Sequence, residues 1–151
     1  MSVLDAEIEL LNRQAKKVFF DLEGHGFQFK APLVKHTNAI GDYIEIEITH
    51  EVTGKSLLIA YAPALDLRPE SISVFLQNID GDTFSVSDYL SCKKFDSQLR
   101  KSISLANHHG SLSERIEMTL VASREIILTY LEDVLLGSGW EFIPINWGDM
   151  K

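Results

Sequence analysis

Cysteine is almost missing from this chain: one residue, Cys92, in 151. A lone thiol cannot build an internal disulfide framework, so a small stapled secreted fold is excluded. Long apolar runs are missing as well. None approaches the roughly 18–20 residues that cross a bilayer, which argues against a membrane partner. Residues 1–24 scatter Asp5, Glu7, Glu9, Arg13, Lys16 and Lys17 among their apolar positions, which denies them the apolar stretch of a signal peptide. The expected compartment is the cytoplasm.

Basic charge is the third scarcity. Fourteen Lys and Arg stand against 22 Asp and Glu, for a formal net charge of -8. The imbalance concentrates between residues 36 and 90, where nine acids face only Lys55 and Arg68, a local charge of -7. Residues 91–101 swing back to +3 through Lys93, Lys94, Arg100 and Lys101. Such a field repels phosphate backbones, so nucleic acid is not an expected partner, and it attracts basic ones. The plainer reading is that acidity keeps the protein soluble. No G-x-x-x-x-G-K, G-x-G-x-x-G, H-E-x-x-H, C-x-x-C or G-x-S-x-G pattern occurs, so the recognisable enzyme and cofactor signatures are absent and no cofactor or metal is expected.

What is present is a periodic, globular sequence of one domain's length, residues 1–151, with 45% hydrophobic residues. Leu4, Ile8, Leu11, Ala15, Val18 or Phe19, and Leu22 recur at steps of three and four, which predicts an amphipathic helix over 3–22 closed by Gly24 and Gly26. From Phe27 the period becomes two. Phe27, Phe29 and Ala31 alternate with polar residues until Pro32, which places that strand at an edge. Over 42–50, Ile44, Ile46 and Ile48 point one way and Tyr43, Glu45, Glu47 and Thr49 the other. Residues 56–62 are apolar on both faces and predict a central strand covered on both sides. Residues 71–78 alternate again, and Asp80-Gly81 predicts a hairpin turn into a return strand at 83–86. Helices follow: a short one capped by Ser87, another over 97–107, and a long one opened by the Ser111-x-x-Glu114 capping box and running to Gly137. An aromatic tail with Trp140, Phe142 and Trp147 reads as a possible last strand. The expected fold is α+β: a two-layer sandwich of a mostly antiparallel four- or five-stranded sheet with an N-terminal helix and a long C-terminal helix.

Several residues carry candidate chemistry. His108-His109-Gly110-Ser111 could hold a base beside a nucleophile, which would make a small hydrolase using His108 or His109. Histidines near a helix C-terminus also simply favour its dipole. Asp80-Gly81-Asp82 resembles part of a calcium loop, but position 91 is Ser91 where the closing glutamate belongs, so a turn is the better account. Cys92 beside Lys93 and Lys94 could be an activated thiol, and more plainly a small core residue. Glu45 and Glu47 share one strand face with Tyr43. Paired carboxylates serve glycosidases, yet acids on the wet face of an antiparallel strand are usually only solvated. With Asp80 and Asp82 they form the surface expected to bind a partner: Tyr43, Glu45, Glu47, Asp80 and Asp82.

In size, acidity and layout the chain resembles bacterial immunity proteins, with Asp42-Tyr43-Ile44-Glu45-Ile46-Glu47 and Asp80-Gly81-Asp82 carrying the acidic part of the likeness. That resemblance implies a cytoplasmic, non-enzymatic inhibitor that binds and neutralises a cognate toxin or effector domain of basic charge. The order of a leading helix, an antiparallel sheet and a closing long helix is also similar to type III secretion chaperone-like proteins, which implies a protein-binding homodimer. The chain departs from these at residues 63–70, a short proline-bounded loop where they place a helix. Oligomeric state is left open by the sequence.

Overall fold

Strict alternation in the middle of the chain sets the sheet. The computed structural model describes residues 3–37, 41–63, 70–93, 97–106 and 110–140. Among them are six strands: β1 (Phe27–Phe29), β2 (Leu33–Thr37), β3 (Gly41–His50), β4 (Ser56–Ala62), β5 (Ser71–Gln77) and β6 (Thr83–Ser85). All pairings are antiparallel, in the order β1-β3-β4-β5-β6, with β2 also lying against β3. The edge beside β3 is therefore one interrupted strand. Lys30 still donates its backbone N–H to the Glu47 carbonyl at 2.9 Å. Pro32 has no N–H to give, and the ladder resumes at Leu33. Splitting of that edge is why there are six strands where four or five were expected.

The period of two sorts side chains as the sequence demands. Ile44, Ile46 and Ile48 of β3 and Leu57 and Ile59 of β4 are wholly buried, and Ile72, Val74, Leu76 and Phe84 complete the inner face. Against it lies the helical layer. In α1 (Val3–Val18) the stripe of Leu11, Ala15 and Val18 is buried while Glu9, Arg13, Lys16 and Lys17 are exposed. The regular helix stops at Val18. A 3-10 helix (Phe20–His25) carries on where a single helix to 22 was expected, and Gly26, at φ 92°, terminates it.

After β6 come α2 (Val86–Lys93) and α3 (Ser97–Ala106). The cap of α2 is Ser85, whose Oγ accepts from the Asp88 N–H at 2.9 Å; the expected cap, Ser87, lies inside the helix. Ser111 and Glu114 form the expected reciprocal capping box of α4 (Leu112–Ile126). A π-helical turn (Ile127–Leu131) then joins α4 to α5 (Glu132–Leu136). Ile116, Leu120, Ile126, Leu131 and Val134 face the core along this composite rod. Lys55, at the start of β4, is 8% exposed and donates its ammonium to the carbonyls of Gly137 and Gly139 at 2.6 and 2.7 Å. Burial lowers its pKa, and the C-terminal carbonyls of the helix compensate the charge.

One expectation fails at β4. Both of its faces are apolar, but only the inner one meets a helical layer among the described residues. Leu58, Ala60 and Ala62 face an open hollow of about 300 Å³ floored by β3, β4 and β5. They are shielded by neighbouring strands, and Leu58 retains 9% exposure.

Candidate binding surface

The outer sheet face carries three of the five residues expected to bind a partner. Tyr43 and Glu45 line the hollow beside Leu58, Ala60 and Phe75. Register places Leu33 opposite Glu45 and Lys35 opposite Tyr43, on the same face. Lys35 reaches Glu45 at 2.8 Å and Lys30 reaches Glu47 at 3.2 Å. The hydrogen bond to Glu45 holds the Lys35 pKa above its usual value. Glu45 and Glu47 are thus already matched by the lysines of the broken edge strand, and the patch is less acidic than the sequence implied.

Asp80 and Asp82 lie elsewhere. They sit in the turn between β5 and β6, past the Gln77 end of the sheet, where Asn78 organises the loop by accepting the N–H groups of Asp80 and Asp82 at 3.1 and 2.9 Å. The β3–β4 turn is their neighbour, because Ile79 packs directly on Gly54, whose φ of 71° requires glycine there. Together the two turns expose Val52 at 86% and Ile79 at 73%, flanked by Glu51, Asp80 and Asp82. None of these three acids is ion-paired among the described residues. Glu51, Val52 and Ile79 were missed in the sequence. The available signal was a β-branched residue inside each of two polar turns, where packing gives it no reason to be.

A different set of charges closes the opposite end of the sheet. Arg115 on α4 grips Glu70 with two guanidinium nitrogens at 3.0 and 3.2 Å, and Glu70 also accepts from the Tyr61 hydroxyl at 3.2 Å. Burial and the Glu70 charge raise the Glu7 pKa. Burial first, and then the same carboxylates, push the Tyr61 phenol well above its ordinary range. A phenol held protonated and a carboxylate locked by arginine make a structural clamp between the sheet and α4.

Beside this clamp runs a cleft of about 480 Å³ between β5 and the helices, lined on the sheet side by Ser71, Ile72, Ser73 and Val74 and on the helical side by residues of α2, α3 and α4. Ser123 of α4 lines it, 1% exposed, with no hydrogen-bond partner for its Oγ among the described residues.

The remaining candidates separate cleanly. Ser111 is the helix cap, its hydroxyl engaged with the Glu114 N–H at 3.2 Å and its carboxylate at 3.0 Å. His108, His109, Phe142 and Trp147 lie outside the described residues. Cys92 is exposed, so it is not the core residue of the plainer reading. Trp140 is half-buried and packs edge-on against Phe84 at 5.3 Å, as an anchor does. Among the described residues no group of His, Cys, Asp and Glu could hold a metal ion, and no helix is long and apolar enough to cross a membrane. Comparison with protein-family models, curated proteins and solved structures finds no match for this chain.

Proposed function

We propose that this protein is a cytoplasmic binding module, an inhibitor of the immunity-protein kind that captures a basic toxin or effector domain. The observation that carries the reading is the hairpin end of the sheet: two exposed β-branched residues, Val52 and Ile79, flanked by the carboxylates Glu51, Asp80 and Asp82, none of them in an ion pair among the described residues. Apolar contacts at the centre supply affinity, and a ring of one charge speeds encounter and selects an oppositely charged partner. The net charge of -8 acts in the same direction at longer range. Tyr43, Glu45 and Glu47 form a secondary, already neutralised surface on the outer face.

Affinity purification from the source cells, read by mass spectrometry, tests the proposal. A stoichiometric basic partner is expected, and Asp80→Lys with Asp82→Lys should slow its association about tenfold or more at low salt. Absence of a stable partner, or a partner indifferent to these reversals, removes the reading.

A second reading has its own observation. Met118, Val121 and Leu128 are exposed on the solvent side of the α4 rod, at 44–47%. A second copy covering that stripe would make the homodimer of the secretion-chaperone-like layout. A monomer at micromolar concentration in analytical ultracentrifugation rules it out.

A further inference from the structure

We infer that the cleft along β5 takes up an extended, carboxylate-bearing peptide by strand addition, a second binding activity separate from the acidic hairpin end. The sheet itself states the requirement. β6 pairs only with Phe75, Leu76 and Gln77, so the first half of β5 has no strand beside it on that side among the described residues. The Asn78 N–H donates to the Asp82 carbonyl at 3.0 Å, and Leu76 is paired with Phe84. Alternation by two then aims the N–H and C=O groups of Val74 and Ile72 into the cleft. Val86 follows β6 directly and takes the ladder position opposite the Val74 carbonyl, which leaves the Val74 N–H and both groups of Ile72 with no strand opposite them among the described residues. Two donors and an acceptor along one strand edge, with a repeat of about 6–7 Å, are the pattern that an antiparallel strand satisfies and a compact metabolite does not.

The far wall adds two independent marks of a ligand. The Ser123 hydroxyl is buried, lines the cleft and has no partner among the described residues. A buried hydroxyl without a partner is costly, and a peptide carbonyl or side chain in the cleft would relieve it. Arg100 of α3 also lines the cleft and is in no ion pair among the described residues, whereas Glu70 at the cleft mouth is fully engaged by Arg115 and Tyr61. The available charge in the cleft is therefore positive, and it asks for a carboxylate. A volume of about 480 Å³ suits a few residues of extended chain with small side chains.

The probe is a phage-displayed library of random heptapeptides, panned on the full-length protein. Enrichment of peptides with an acidic residue and alternating small or apolar positions is expected. A synthetic peptide of the enriched sequence should slow hydrogen exchange at the Ile72 and Val74 amides, and Arg100→Glu should weaken its binding about tenfold or more with thermal stability unchanged. Ser123→Ala should weaken binding to a smaller degree. Free-acid and amidated forms of the peptide separate a terminal from a side-chain carboxylate. Failure to enrich any sequence, or binding insensitive to Arg100→Glu, overturns the inference. So does protection of both amides in the unliganded protein that is lost when residues 141–151 are removed, since the cleft would then be filled by its own chain. Loss of the basic partner by the hairpin reversals leaves this result untouched, so the two proposals fail separately.

Discussion

Two faces of the same strands meet opposite fates. Along β3, Ile44, Ile46 and Ile48 are sealed beneath the helices, while Tyr43 and Glu45, one residue out of step, line an open hollow, and Glu47 follows them on the same face. Inner residues are held by shape, since each fills volume that no other group can fill. Outer residues are held by pairing across the strands, with Lys35 and Lys30 lying over Glu45 and Glu47. Stability is thus concentrated on one face, and the other can change its chemistry without unfolding the sheet.

The sharpest way to break this contrast is to truncate one residue on the inner face. Ile46→Ala should cost about 2–5 kcal/mol in urea unfolding, from lost burial and the cavity left behind. A cost below about 1 kcal/mol would show that the helices do not close on β3 as described. Next in size is the clamp at the sheet end. Arg115→Met strands Glu70 beside Glu7 and Tyr61 and should cost about 1–3 kcal/mol, with stability recovering as pH falls and the carboxylates protonate.

A smaller effect sits within the helical layer. Arg124 binds Asp21 through both guanidinium ends and also the Val18 carbonyl, and its hydrogen bonds hold the Asp21 pKa below the ordinary 3.8. A depressed carboxyl pKa contributes stability above the unfolded value and loses it as pH falls through the folded one. Asp21→Asn should therefore flatten the acid limb of the stability profile below about pH 4 and leave its shape at neutral pH unchanged. Smallest of all, Lys35→Ala on the outer face should change stability by only about 0.2–1 kcal/mol, measured in the same urea titration. A loss as large as that of Ile46→Ala would erase the distinction between the faces.

Local chemistry was legible in the sequence. The isoleucine alternation of β3 could be read because one face is dry and the other wet. The Ser111–Glu114 box could be read because a helix cap is built from residues three apart. What escaped depends on register. Leu33–Thr37 has no apolar alternation of its own and is a strand because β3 offers it a ladder. The lysines that neutralise Glu45 and Glu47 come from that same edge, so the acidic patch looked freer than it is. Ser85 displaced Ser87 as a cap because β6 ends one residue earlier than expected. Val52 and Ile79 became neighbours only once two hairpins came to lie side by side.

The π turn at Ile127–Leu131 has a consequence for how this chain can change length. A wide turn holds one residue more than the helix around it needs, and here it sits just before Val134 and Leu135 return to the core. Removing a single residue there would give an unbroken α-helix with the residues beyond it still in phase, whereas removing one from the regular turns of α4 would swing everything beyond it by about 100°. After such a deletion in α4, Val134 and Leu135 would leave the interior, and the Gly137 and Gly139 carbonyls would leave Lys55 without acceptors. The irregular turn is therefore the place where the rod can give up a residue and still bring its end over the buried ammonium on the sheet.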